Sequence, residues 1–119
     1  MSTQAAGAYG EQLAREYLES KGYRFLAANW WCKVGEIDLV MRDGEVLVFI
    51  EVRLRQPTTF GEGLETVARD KQRKLVRAAK TYQQQENDWG DARFDVISIT
   101  MFPDKQPDIE HIEWAFSAD

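Results

Sequence analysis

The stretch GEIDLVMRDGEVLVFIEVRL, Gly35 to Leu54, leaves the chain few ways to fold. It is two β-branched apolar runs hinged on Asp43-Gly44, a dipeptide suited to the positive φ angles of a tight turn, and therefore reads as a β-hairpin. Charged residues nevertheless interrupt the runs. With Asp43 and Gly44 as the two loop residues, Arg42 pairs with Glu45 and Glu36 falls directly opposite Glu51. Strand alternation then adds Asp38 beside Glu36 and Arg53 beside Glu51 on the same face. Like charges opposed across paired strands destabilise a sheet, and here Val48, Phe49, Ile50 and Val52 keep their surroundings partly dry. Something must offset that cost. It is either a surface ion network, with Arg53, Lys33 and Arg55 pairing the carboxylates, or a divalent cation held by carboxylate oxygens.

Around the hairpin the chain is evenly patterned. Residues from about Thr3 to Lys21 carry Leu13, Ala14, Tyr17 and Leu18 at helical spacing and stop at Gly22. YRFLAANWWC reads as a strand, in which Trp30 and Trp31 are more readily core residues than base-stacking platforms. QPTTFGEG is a loop. A second helix is expected from about Glu62 to Glu86, with Leu64, Val67, Ala68, Leu75, Ala79 and Tyr82 on one face. ARFDVISITMF and DIEHIEWAF complete the set as strands. The order α-β-β-β-α-β-β predicts an α/β (α+β) chain with a central mixed sheet flanked by helices. No repeat or linker divides it, and 119 residues suit one domain spanning 1–119.

Composition removes several chemistries. One cysteine, Cys32, excludes an internal disulfide and fits a reducing cytoplasm, and with one histidine it also excludes a His/Cys metal centre. A metal would need oxygen ligands. The N-terminal residues lack the basic and apolar regions of a signal peptide, and no apolar run is long enough for a membrane span. The net charge of −5 argues against a nucleic-acid partner until its distribution is read. Residues 53–80 hold eight basic and three acidic side chains, whereas 81–119 hold two and nine. The acidic last third would suit an adaptor that docks a basic protein. The middle third is a basic patch on and before the second helix, with Arg55, Lys71, Arg73 and Lys74 as candidate phosphate contacts, unless it is simply a solvated helix face. Two polar residues sit on apolar stripes: Glu11 on the first helix and Gln72 on the second, each needing a partner there.

GEIDLV and FIEVRLR, preceded by YGEQLAREYLESKGY and followed by ARDKQRKL and RFDV, resemble the YraN-type family of small bacterial proteins over about Gly7 to Ile97. That family is in turn similar to the restriction-endonuclease-like PD-(D/E)xK nucleases and, within them, to Holliday-junction resolvases. The resemblance implies a restriction-endonuclease-like fold and a Mg²⁺- or Mn²⁺-dependent endonuclease acting on DNA, branched DNA included. It implies Asp38 and Glu51 as metal ligands, Glu11 completing the site, Glu36 as an additional carboxylate and Gln72 positioning water or phosphate. Arg53 stands where the motif places lysine. Arginine keeps its proton at physiological pH, so it can clamp phosphate but cannot be the general base. The alternative is a nucleic-acid-binding module that keeps the fold without turnover. The resolvase likeness also implies a homodimer.

Overall fold

The computed structural model describes residues 3–57 and 67–118. Among them, α1 (Thr3–Ser20), β1 (Arg24–Cys32), β2 (Gly35–Asp43), β3 (Val46–Arg55), α2 (Arg69–Glu86), β4 (Ala92–Thr100) and β5 (Asp108–Phe116) follow one another in the expected order. The five strands form one sheet in sequence order. All neighbours are antiparallel except β3 and β4, which are parallel because α2 carries the chain across one face between them. This is the expected α+β class with a mixed sheet, compatible with a restriction-endonuclease-like fold. No described helix is long and apolar enough to cross a membrane.

Strand alternation supplies two cores. Leu47, Phe49, Phe94 and Val96 pack under Leu75, Ala78, Ala79 and Tyr82 of α2, whereas Val48, Ile50, Ile97 and Ile99 pack under Ala14 and Leu18 of α1. On the α2 side, Phe116, Phe94 and Phe49 stack in series at centroid distances of 4.8 and 5.6 Å, and Tyr82 meets both Phe49 and Trp30 edge-on. Trp30 is thus core-facing, while Trp31 is 75% exposed.

Two expectations need correction. The hairpin loop is Gly44-Glu45, not Asp43-Gly44: Asp43 pairs with Val46 and Arg42 with Leu47. Gly44 has φ +61° and Glu45 stays at negative φ, the pattern of a turn with glycine in its first central position. The two-residue shift in register preserves the expected facing from Leu39 to Asp43 but changes each residue's partner. The ladder ends at Leu39↔Ile50, and one further step sets Asp38, not Glu36, across from Glu51. The second helix begins at Arg69, not near Glu62. Val67 fills the core from an extended lead-in, Ala68 has ψ 145°, and the helical spacing of Val67 and Ala68 is therefore coincidental. Leu64 and most of the QPTTFGEG loop lie outside the described residues. At its other end α2 stops on Asn87 in the left-handed conformation, with Asp88 N–H donating to the Gln83 carbonyl at 2.9 Å.

A buried polar network had no sequence signal. Arg93 and Asp95 on β4, 5% and 1% exposed, face the α1 side. Arg93 donates to Asp95 at 3.1 Å and to Asp43 of β2 at 3.0 Å, and it also reaches the Tyr23 hydroxyl and Glu113. Asp95 also takes the His111 ring at 2.7 Å and the Trp114 backbone N–H at 3.1 Å. Desolvation opposes its ionisation, but the bonds from His111, Arg93 and the Trp114 backbone outweigh it and hold the carboxyl below its usual range.

Candidate metal and nucleic-acid site

The two sheet faces are not independent at Asp38. Ile37 packs in the α2-side core but Leu39 in the α1-side core, so alternation slips at the residue between them. On β1 the matching position is Asn29, between the pairs Ala28↔Leu39 and Trp30↔Ile37, and it has φ +52°. A left-handed asparagine here kinks the edge strand at low steric cost. The same Asn29 side chain hydrogen-bonds Glu11 of α1.

At this kink β2 turns Asp38 toward β3. Val52 N–H donates to Asp38 Oδ2 at 2.9 Å, and the Asp38 carboxyl hydrogen-bonds that of Glu51. Glu51 is only 6% exposed. Two carboxyls this close cannot both ionise cheaply, so Asp38 retains its proton more readily than an ordinary carboxyl. Burial first, then the bond to Glu51, pushes Asp38 up to about 8, against the lowering effect of the Val52 N–H. Glu11, half-buried, adds its charge to the same group and is itself raised, chiefly by burial. From the other side the Lys71 ammonium makes an ion pair with Glu51 Oε2, a buried oxygen with no hydrogen bond of its own.

These groups line a cavity of about 180 Å³ bounded by Gly35, Glu36, Asp38, Glu51, Lys71, Lys74 and Leu75. Gly35 lets α2 pass close: a Cβ there would sit 3.4 Å from the Lys74 carbonyl oxygen. The structure thus brings together Asp38, Glu51, Glu36, Lys71 and Lys74, with Glu11 near enough to act on Asp38. Arg53, Arg55, Gln72 and Arg73 are not among the residues lining this cavity. Arg53, half-buried, follows Glu51 on β3 and pairs with Ser98 of β4 in the ladder. Arg55 ends β3, where its carbonyl accepts the Met101 N–H at 3.0 Å. Gln72 Nε2 donates to the Val67 carbonyl at 2.7 Å, so its amide secures the lead-in to α2, and it lines a different cavity with Arg73. Arg73 is exposed and pairs with Asp70 at 3.0 Å.

Among the described residues no three His, Cys, Asp or Glu side chains converge closely enough to hold a metal ion. The donor set that does converge is a two-carboxylate pair, Asp38 and Glu51, with Glu36 at the cavity wall. It fits a hard cation that keeps several waters, since Mg²⁺ is commonly held by one or two carboxylates. The Asp38 proton and the Lys71 ammonium are the positive charges such a cation would displace. Sequence reasoning missed Asn29 and mistook Lys71 for a phosphate contact only; an asparagine before two tryptophans in a strand was the available clue to the kink.

A family model described as "Uncharacterised protein family UPF0102" matches residues 10–99. A UPF0102 protein of Stutzerimonas stutzeri is 42% identical over 118 residues, covering 98% of both chains. One from Nocardia farcinica is 39% identical over 114 residues, 95% of this chain and 90% of its own. Another, from Pseudomonas syringae pv. tomato, reaches 46% over 102 residues, 84% and 80% of the two chains. The hairpin, the kink at Asn29 and the carboxyl pair all fall within the matched region, and the chain belongs to the UPF0102 family, the YraN-type proteins its motifs resemble.

Proposed function

We propose that the protein holds Mg²⁺ or Mn²⁺ between Asp38 and Glu51 and acts as an endonuclease-like phosphodiesterase on DNA. The observation that carries this reading is the hydrogen-bonded carboxyl pair itself, Glu51 buried and Asp38 half-buried, an arrangement that becomes favourable for both charges once a dication lies between them. Bound there, the cation would acidify its water and polarise a phosphoryl oxygen. Asp38 and Glu51 would hold it by oxygen, and Val52 N–H fixes the orientation of Asp38. Lys71 and Lys74 line the same cavity and neutralise phosphate charge. With a cation held on Glu51, the Lys71 ammonium, now paired with that carboxylate, would be available to the phosphate. Glu36, exposed at the cavity wall, is the carboxylate placed to accept a proton from attacking water. Arg53 stays cationic and can only bind or stabilise charge. The likeness of GEIDLV and FIEVR to PD-(D/E)xK motifs supports the same assignment.

Cleavage is tested with linear, nicked and four-way-junction DNA in Mg²⁺ and Mn²⁺. Weak, Mn²⁺-favoured cutting is expected, lost in Asp38→Ala and Glu51→Ala. Equal cutting by wild type and variants would mark contamination and end the enzyme reading. Arginine in place of the motif's lysine favours one second reading, a DNA-binding module without turnover. It is the correct one if Mn²⁺ raises the melting temperature of the wild type alone while no DNA is cut.

A further inference from the structure

Helix α2 carries basic residues on two flanks. Lys71 and Lys74 face the carboxyl cavity. On the opposite flank Arg69, Arg73 and Arg77 recur every fourth residue, and Lys80 continues the row. They line two adjoining cavities of about 430 and 240 Å³, which share Val76, Ser117 and Ala118 and so form one trough between α2 and the C-terminal segment. Four helical residues advance about 6 Å, close to the step between neighbouring phosphates of an extended single strand. The one ion pair in the row, Arg73 with Asp70, joins two exposed side chains and yields readily to a stronger anion.

A second, independent observation lies across the trough. Trp114 lines its far part, is 65% exposed and has φ +56°. A bulky residue in the left-handed region is strained, and glycine or asparagine would be more comfortable. The strain is held from beneath: Asp95, fixed by Arg93 and His111, accepts the Trp114 backbone N–H. Stability gains nothing from an exposed indole on a strained backbone. A flat aromatic face beside a row of guanidinium groups is the combination that binds unpaired bases and their phosphates together.

We propose that this trough binds a single nucleic-acid strand, with phosphates along Arg69, Arg73 and Arg77 and a base stacked on Trp114. The proposal rests on the preceding reading only in taking a phosphodiester as ligand; it concerns the other flank of the helix and needs no metal. The test is fluorescence anisotropy of the full chain, metal-free, with a labelled oligothymidylate and a matched duplex over a range of salt. Wild type is expected to prefer the single strand. Arg73→Ala/Arg77→Ala should flatten the slope of log K against log salt by about 1.4. Trp114→Ala should weaken single-strand binding about tenfold. Trp114→Gly, which the backbone favours, should weaken it equally while keeping or raising the melting temperature, which separates a lost contact from a lost fold. Trp31→Ala, at an exposed tryptophan on the opposite edge, should bind as wild type. Wild-type affinity in both Trp114 variants and in the double arginine variant would overturn the proposal, as would displacement of the oligonucleotide by polyglutamate at equal charge. Loss of binding in Lys74→Ala with none in the double arginine variant would move the strand to the carboxyl cavity, overturning the trough and leaving the cleavage reading intact.

Discussion

Asp38 holds its proton tightly beside the buried Glu51 carboxyl, and two expectations follow. Because folding raises Asp38 to about 8, above the usual carboxyl value near 3.9, the folded state binds the proton more tightly than the unfolded chain does. The associated stability is fully present below the unfolded value and is lost as pH rises towards about 8. Asp38→Asn removes that dependence and can still donate to Glu51. In metal-free buffer its melting temperature should exceed that of wild type by a margin that grows from pH 5 to pH 8, and Mn²⁺ should stabilise only the wild type. Lys71 competes for the same oxygen as the cation. Lys71→Met should therefore tighten Mn²⁺ binding by about fivefold in calorimetric titration, the upper end for a pair with one exposed partner, while weakening DNA binding. Both carboxyls were legible in the sequence, since a charge inside an apolar strand calls for a partner. Which carboxyl faced which was not, because a one-residue change in loop position shifts the register by two and replaces Glu36 with Asp38.

The hairpin and α2 show where local signals suffice and where they stop. All five strands and both helix C-termini were readable from periodicity and glycine, because each signal lies within a few residues of what it specifies. The turn was misread because aspartate-glycine is compatible with two loop positions, and only the packing of the two faces selects between registers of equal parity. The start of α2 was misread for a related reason: Val67 is buried by contact with the sheet, not by being helical. Gly44 gives a direct check on the turn. Nothing lies within 4 Å of a Cβ placed there, so Gly44→Ala should cost only the left-handed conformation, about 1 kcal/mol, as a lower urea midpoint with unchanged slope. Gly44→Asn should cost less. If both variants match wild type, the loop is not Gly44-Glu45.

At the scale of the molecule, the Arg93 and Asp95 network joins the turn before β1 to β2, β4 and β5 through residues up to 90 positions apart, Tyr23 to Glu113. No short-range pattern announces such a cluster, which exists only once the strand order is fixed. Removing one partner strands the other in a dry site, so Arg93→Met should destabilise the fold by about 3 to 5 kcal/mol in denaturant titration. Asp95 has the opposite sign to Asp38. Its lowered value contributes stability that is present above the unfolded carboxyl value and lost as pH falls through the folded one, so acid unfolding should begin below about pH 4. In Asp95→Asn the far-ultraviolet dichroism should lose that acid step. The network and the kink also govern the sheet's two borders. β1 is interrupted by a register shift near Phe25 and by left-handed Asn29, and β5 by a shift opposite Phe94 to Val96 and by left-handed Trp114. An outer strand broken in this way is a poor template for another chain's backbone, and β5 adds exposed Asp108, Glu110 and Glu113 against any like-charged copy. The protein can keep a long apolar hairpin at the centre of its sheet because neither border invites strand-by-strand growth.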